Sequence, residues 1–163
     1  MKVRRAALLA AWMLAVACPG TALAAPMDLS SGPIAQASAP EAPATARAVT
    51  AALAKVGAPY GMGAAGPGAF DCSGLVMWAL AHADIGAPHS SYAQFAMGSG
   101  VARSDIRRGD LVFFDSFGPG ASHVGIATSS TTAVSATSHG VMTHPIFDAY
   151  WGGHYLGARR LKG

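Results

Sequence analysis

The stretch GAFDCSGLVMWALAHADIG, residues 68–86, predicts a helix that begins with a cysteine. Apolar residues recur at helical spacing from Cys72 to about Asp84, and Gly86 follows the end of the pattern. Asp71 is a good N-cap residue and therefore places Cys72 at the first helical position. There the helix dipole and the free backbone N–H groups favour a thiolate over a thiol. The stretch predicts a nucleophilic cysteine, and an inert cysteine packed like a small apolar residue is the alternative.

Helical patterns come first along the chain, and strand patterns follow them. A helix is also predicted over residues 46–57 and a short helical turn over residues 90–97. This order predicts an α+β fold, with helices first, then a mostly antiparallel sheet of about five strands, and Cys72 at a helix N-terminus. Runs rich in β-branched and aromatic residues predict the strands over residues 107–116, 123–129, 132–138, 140–147 and 154–161.

The N-terminal residues predict a secretory signal peptide over residues 1–24. Basic residues precede an apolar run over residues 6–17, and Ala22-Leu23-Ala24 supplies the small residues of a cleavage site. The apolar run is shorter than the roughly 20 residues that a membrane-spanning helix needs. The protein is therefore predicted to be exported, to the periplasm or to the exterior of the cell.

Lipidation at Cys18 is an alternative to cleavage of the signal peptide after Ala24. The run from Leu14 to Cys18 loosely resembles a bacterial lipobox, and a lipidated Cys18 would anchor the protein to a membrane. In either case Cys18 is not available for a disulfide, so Cys72 stays an odd thiol in an oxidising compartment. Residues 25–45 are rich in Ala, Pro and Ser and are predicted to form a flexible linker, which leaves residues 46–163 as one domain.

The charge of the chain argues against a nucleic-acid partner. The chain carries 11 basic and 8 acidic residues, a formal net charge of +3. Lys2, Arg4 and Arg5 lie in the predicted signal peptide, so the rest of the chain carries 8 basic and 8 acidic residues. A balanced charge gives no electrostatic reason to bind nucleic acid.

A cysteine nucleophile needs a base, and His123 is the best candidate among six histidines. His123 begins a predicted strand, and strand alternation places Gly125 and Ala127 on its face. These small residues leave room for a helix N-terminus to approach the imidazole. A surface histidine at the start of a strand, without a catalytic role, is the alternative. His82 lies about three turns along the predicted Cys72 helix and therefore points away from the helix start.

Several motifs, in order, resemble the NlpC-type cell-wall cysteine peptidases, a papain-like family. They are DCSGLV at 71–76, GDLVFF at 109–114, HVGIA at 123–127 and YWGGHYLGARR at 150–160, with PYGMG at 59–63 and PHSSYAQ at 88–94. In the last of these, His89 stands where the family usually has arginine. The resemblance implies hydrolysis of peptidoglycan stem peptides, the expected partners, in the bacterial envelope.

The resemblance also implies roles for particular residues. Cys72 matches the nucleophile and His123 the general base of the family. Tyr60 matches a tyrosine that faces the catalytic centre, where its hydroxyl helps to bind substrate or the oxyanion. Asp71 and Ser91 match positions that in some members bind the free amine of the substrate peptide, although helix capping alone would account for Asp71.

The third catalytic position departs from the family pattern. The family usually has histidine there, whereas the segment AVSATSHGV aligns Ser135 with that position. A serine hydroxyl can accept a hydrogen bond from the His123 ring, although it carries no charge. We expect Ser135 to take this role, with His139 of the same strand parity as the alternative and a bound water as the third option.

The resemblance therefore predicts a cysteine endopeptidase with a Cys–His acyl-enzyme mechanism. We also expect a monomer and no cofactor. Contact with a membrane is expected only if Cys18 is lipidated. Two alternatives on the same fold are a catalytically weak or inactive module that binds stem peptides, and an acyl transferase or thioesterase. A zinc site built from Cys72, His123, His139 and His144 is a further alternative, but the spacing of these residues does not resemble a metal-binding motif.

Overall fold

The structure is a computed structural model that describes residues 43–162. The predicted signal peptide (1–24) lies outside the described residues, as does the predicted linker (25–45) except for its last three residues. Helix α1, Ala44–Leu53, begins two residues earlier than predicted. The carbonyl of Pro43 starts it by accepting hydrogen bonds from two N–H groups of the first turn. Within the described residues, none of the helices combines the length and the apolar character that a membrane span requires.

Helix α2, Cys72–Ala81, begins at the residue that the sequence predicts. The Asp71 carboxylate accepts a hydrogen bond from the backbone N–H of Gly74 at 2.7 Å, which satisfies a free donor of the first turn. The helix ends before the predicted residue Asp84, which lies in a turn with a left-handed φ of 61°. A short helix α3, Ser91–Phe95, follows in the segment predicted as a helical turn.

Over residues 43–162 the strands form one six-stranded antiparallel sheet in the order β1-β6-β2-β3-β4-β5. The predicted strands are all present, and the additional strand β1 is an edge strand that pairs with β6. Its residues, Ser-Gly-Val, are too few to show an alternating pattern. The strands are β1 Ser99–Val101, β2 Leu111–Phe114, β3 His123–Ala127, β4 Thr132–Thr137, β5 Gly140–Pro145 and β6 Tyr155–Arg160.

The sheet has apolar clusters on both faces. Val124 and Ile126 of β3 belong to the cluster that contains the buried residues of α1 and α2. Ala127 belongs to the second cluster, with Phe114 and Ile146. Because alternate residues of a strand face opposite sides, His123 shares the face of Ala127, away from the helices. The N-terminus of α2 lies near the start of β3, because the backbone N–H of Val124 contacts the Cys72 sulfur.

The sequence-based reason for the small residues beside His123 is wrong. Gly125 makes room for the neighbouring strand β4 and not for a helix. A Cβ atom added at Gly125 would lie 2.9 Å from the carbonyl oxygen of Val134 and 3.1 Å from Cβ of Ser135. The absence of a side chain thus lets Ser135 pack closely against β3, beside His123.

Candidate active site

The start of α2 places the Cys72 thiol against the start of β3. Cys72 is a half-buried free thiol, and the backbone N–H of Val124, the residue after His123, donates a hydrogen bond to its sulfur. The Asp71 carboxylate holds the first turn in place by accepting hydrogen bonds from Gly74 N–H and, at 3.1 Å, from Ser73 Oγ. The structure therefore brings the predicted nucleophile next to the strand that carries the predicted base.

The pKa of the Cys72 thiol is raised, contrary to the expected preference for a thiolate. Burial raises this pKa and the charge of Asp71 adds to the effect, whereas hydrogen bonds from the backbone N–H groups of Val124 and Ser73 lower it. Burial disfavours the charged form of any acid and outweighs the donors at the helix start. Cys72 is therefore a neutral thiol at neutral pH.

We expect the alkylation of Cys72 by iodoacetamide to keep accelerating as the pH rises past about 8.5, the ordinary pKa of a thiol. The raised pKa means that the reactive thiolate is the minor form below that pH. The rate is measured by intact-protein mass spectrometry, with N-acetylcysteine as the reference thiol. A fast rate that is independent of pH between about pH 6 and pH 8 would instead indicate a thiolate–imidazolium pair.

His123 is buried and neutral. Burial, and to a smaller extent the nearby His144, lower the pKa of its imidazole to about 3. Aromatic rings enclose it: Trp151 stacks on it with a centroid distance of 5.2 Å, and Phe117 lies 5.3 Å away. Its Nδ1 atom has no hydrogen-bond partner among residues 43–162. A neutral imidazole with a free ring nitrogen is the form that a general base requires.

The other ring nitrogen of His123 contacts Ser135. His123 Nε2 lies 3.1 Å from Ser135 Oγ, and Ser135 Oγ lies 2.8 Å from Nε2 of His144 on β5. His139, the alternative to Ser135, lies exposed in the turn after β4, where its Nδ1 is 3.4 Å from Ser138 Oγ. The parity argument for His139 is wrong, because β4 ends at Thr137 and alternation does not continue through the turn.

Sequence reasoning missed His144 as a neighbour of Ser135. Strands β4 and β5 are joined by a two-residue turn, and in their register Ala133 is opposite His144 while Ser135 is opposite Met142. Directly opposed residues point to the same face, so His144 reaches Ser135 along the diagonal. The sequence held part of this signal, because the adjacent predicted strands 132–138 and 140–147 indicate a hairpin. The register depends on the length of its turn, and the prediction left one residue between the strands where the structure has two.

The predicted binding residues lie together with Cys72 in a cleft of about 240 Å³. Tyr60, Asp71 and Ser91 all line it, as does Phe117, which also covers His123. The pKa of the Tyr60 hydroxyl is raised by burial and by the nearby Cys72 and Asp71, so the hydroxyl keeps its proton and can donate a hydrogen bond. The cleft thus combines a thiol, a hydroxyl donor and a carboxylate.

Asp71 remains a carboxylate at neutral pH and pairs with His89. Although burial opposes ionisation, hydrogen bonds from Gly74, His89 and Ser73 hold the pKa of the Asp71 carboxyl below its ordinary value. His89 Nε2 lies 2.9 Å from both carboxylate oxygens, and the backbone N–H of Gly63 donates to one of them at 2.9 Å. The histidine that replaces the usual arginine therefore contacts the same carboxylate that caps α2.

The four residues of the zinc alternative do not converge on one point. The Nε2 atoms of His123 and His144 both contact the Ser135 hydroxyl, and His139 lies in an exposed turn. Among residues 43–162, no group of three or more His, Cys, Asp or Glu side chains is arranged to hold a metal ion.

Comparison with known proteins identifies the family. The sequence model of the NlpC/P60 family matches residues 57–160, which confirms the resemblance drawn from the motifs. A probable endopeptidase of Mycobacterium tuberculosis is 47% identical over 109 residues, which are 62% of this chain and 28% of that protein. The chain thus spans little more than a quarter of the length of this curated relative.

Solved structures of the same family share the fold. A Staphylococcus aureus protein described as similar to lipoprotein of the NLP/P60 family superposes with a TM-score of 0.69 at 28% identity, covering 76% of this chain and 43% of that one. The peptidoglycan hydrolase RipB from Mycobacterium tuberculosis superposes with a TM-score of 0.61 at 27% identity, covering 74% and 65% of the two chains. These matches confirm the predicted α+β, papain-like fold.

Proposed function

The chain belongs to the NlpC/P60 family, and we propose that it is a cysteine endopeptidase that cleaves the stem peptides of bacterial peptidoglycan. The observation that carries the proposal is the position of Cys72 at the start of α2, lining a cleft and lying against the strand that carries His123. The names of the relatives, probable endopeptidase and peptidoglycan hydrolase, agree with this substrate class.

The proposed reaction begins with a neutral thiol and a neutral imidazole. As the Cys72 sulfur attacks a stem-peptide carbonyl, its proton passes to Nδ1 of His123. The backbone N–H of Cys72 at the helix start, assisted by the Tyr60 hydroxyl, stabilises the negative charge on the carbonyl oxygen. His123 then returns the proton to the leaving amine and leaves an acyl-enzyme. It next takes a proton from water, which attacks the thioester; as the carbon–sulfur bond breaks, His123 returns this proton to the sulfur and restores the neutral thiol and imidazole.

The remaining residues of the cleft bind and orient the substrate in this proposal. The Asp71 carboxylate, which lines the cleft, provides a negative charge for the free amine of a stem peptide. Ser91 lies buried at the cleft wall and adds a hydroxyl. Ser135 orients His123 through the 3.1 Å contact to its ring. The proposed location is the periplasm or the cell exterior, where peptidoglycan is accessible. The alternative location is a membrane surface, to which a lipidated Cys18 would anchor the protein.

Digestion of peptidoglycan by the purified protein tests the proposal. Sacculi and soluble muropeptides are incubated with the protein, and the products are identified by mass spectrometry. We expect new stem-peptide fragments, whose masses identify the cleaved bond. Binding without fragments would indicate a binding module, and fragments joined to an added amine in preference to water would indicate an acyl transferase. A His139→Ala variant serves as a matched control and is expected to keep the wild-type rate, because this exposed histidine does not contact His123.

A further inference from the structure

We propose that His144 is a positioning residue that acts through the Ser135 hydroxyl to keep Nδ1 of His123 free of a proton. The inference rests on the proposed function, because it concerns the residue proposed as the general base. It goes beyond the expected third catalytic position, since His144 lies on a different strand from Ser135. The carbonyl oxygen of Pro145 determines which nitrogen of His144 carries a proton. Through the Ser135 hydroxyl, His144 in turn determines which nitrogen of His123 carries one.

The chain of hydrogen bonds starts at the carbonyl oxygen of Pro145. His144 Nδ1 lies 2.8 Å from this oxygen, which can only accept a hydrogen bond. Nδ1 of His144 therefore carries a proton. Burial lowers the pKa of His144 and keeps the ring neutral, although Pro145 and the charge of Asp148 act in the opposite direction. In a neutral imidazole the second nitrogen is an acceptor, so Nε2 of His144 accepts a hydrogen bond.

The Ser135 hydroxyl links the protonation state of His144 to that of His123. Its single proton is donated to His144 Nε2 at 2.8 Å. Its oxygen is then an acceptor toward His123 Nε2 at 3.1 Å, so this nitrogen of His123 carries the proton. Since the His123 ring is neutral, its Nδ1 carries none. That atom is buried and has no hydrogen-bond partner among the described residues, as expected for a base that awaits the thiol proton.

A serine alone could not specify this state. A hydroxyl can donate as readily as it accepts, so without an acceptor on its other side it could donate to Nε2 of His123. The proton of the His123 ring would then move to Nδ1, and the imidazole could not accept a proton from Cys72. The acceptor at His144 removes this alternative. The pair Ser135–His144 therefore performs what a single histidine performs at the usual third position.

Trp151 holds the two imidazoles in a common arrangement. Its ring stacks on His144 with a centroid distance of 3.9 Å and an interplanar angle of 23°, and on His123 at 5.2 Å and 29°. Phe114 contacts both rings with centroid distances of 6.0 Å and 5.9 Å. Aromatic contacts on two sides fix the planes of the imidazoles, and fixed planes keep the hydrogen bonds to Ser135 aligned.

The primary experiment compares His144→Phe with His144→Gln. Phenylalanine keeps a flat ring against Trp151 but provides no acceptor, whereas the glutamine carbonyl can accept the Ser135 proton. We expect kcat for stem-peptide cleavage to fall roughly 10- to 100-fold in His144→Phe, the range seen when a metal-bound histidine loses the outer partner that fixes its tautomer. KM is expected to change little, and His144→Gln is expected to recover most of kcat. Equal losses in the two variants would overturn the proposal.

A double variant separates this role from a purely structural one. Because His144 acts only through Ser135, Ser135→Ala with His144→Phe is expected to be no slower than Ser135→Ala alone. Independent, multiplying losses would overturn the proposal. Thermal unfolding of each variant shows whether a loss of rate reflects a loss of folded protein.

Imidazole ¹⁵N NMR gives a readout that does not depend on activity. In the wild-type protein we expect the proton on Nε2 of His123 and on Nδ1 of His144. In His144→Phe we expect His123 to populate the form protonated on Nδ1. If the wild-type protein cleaves no stem peptide, the proposed function fails, whereas these spectra still test the arrangement. A proton on Nε2 of His144 in the wild-type spectrum would overturn the proposal even if the variants did not fold.

Discussion

Replacing Cys72 with alanine is expected to abolish the release of stem-peptide fragments and to leave the binding of peptidoglycan intact. The sulfur forms the acyl-enzyme in the proposed mechanism, and a methyl group cannot replace it. Loss of the nucleophile of a catalytic unit typically lowers the rate by roughly 10⁴-fold or more. The measurement is the mass-spectrometric digestion of sacculi, with a pull-down on the same sacculi to quantify binding.

Cys72→Ser is the matched control for this variant. It retains a polar side chain of similar size at the start of α2, so a comparable loss of activity in both variants attributes the effect to the sulfur. The thiol is only half-buried, and neither substitution is expected to change the free energy of unfolding by more than about 1 kcal/mol. Fragments that persist at the wild-type rate in Cys72→Ala would refute the assignment of the nucleophile.

Local sequence patterns predicted the elements that carry the two principal residues. The N-cap at Asp71 and the helical spacing after it placed Cys72 at the first position of α2, and the strand pattern placed His123 at the start of β3. These predictions succeed because capping and alternation depend on neighbours in the chain. The three-residue strand β1 was missed for the same reason, since its place in the sheet depends on pairing with β6.

The environment of His123 could not be predicted from local patterns. Its contact with Ser135 depends on the packing of β3 against β4, and the contact of Ser135 with His144 depends on the register of β4 with β5. The raised pKa of Cys72 likewise depends on how deeply the folded protein buries the helix start. Helix position alone predicted a thiolate, because the sequence shows the donors of the first turn but not the burial that outweighs them.

The second large effect is expected at Gly74, within the motif that begins with Asp71 and Cys72. A Cβ atom added at Gly74 would collide with the carbonyl oxygen of Ala64 and would lie 2.9 Å from Nε2 of His89. The Ala64 carbonyl cannot easily move away, because it accepts the backbone N–H of Asp71 at 2.8 Å. The helix cannot retreat either, since the neighbouring Leu75 is fully buried in the core.

We therefore expect Gly74→Ala to destabilise the protein and to disturb the cleft. Overpacking a rigid site costs up to about 3 kcal/mol, and the preference of helices for alanine over glycine returns about 1 kcal/mol. The free energy of unfolding is therefore expected to fall by about 2 kcal/mol, which urea denaturation measures. Displacement of His89 is also expected to weaken its contact with Asp71. Gly68→Ala is the control, because a Cβ there meets no atom within 4 Å. Equal stability of the two variants would show that the backbone at Ala64 moves to accommodate the added methyl group. Close packing would then not explain the glycine at position 74.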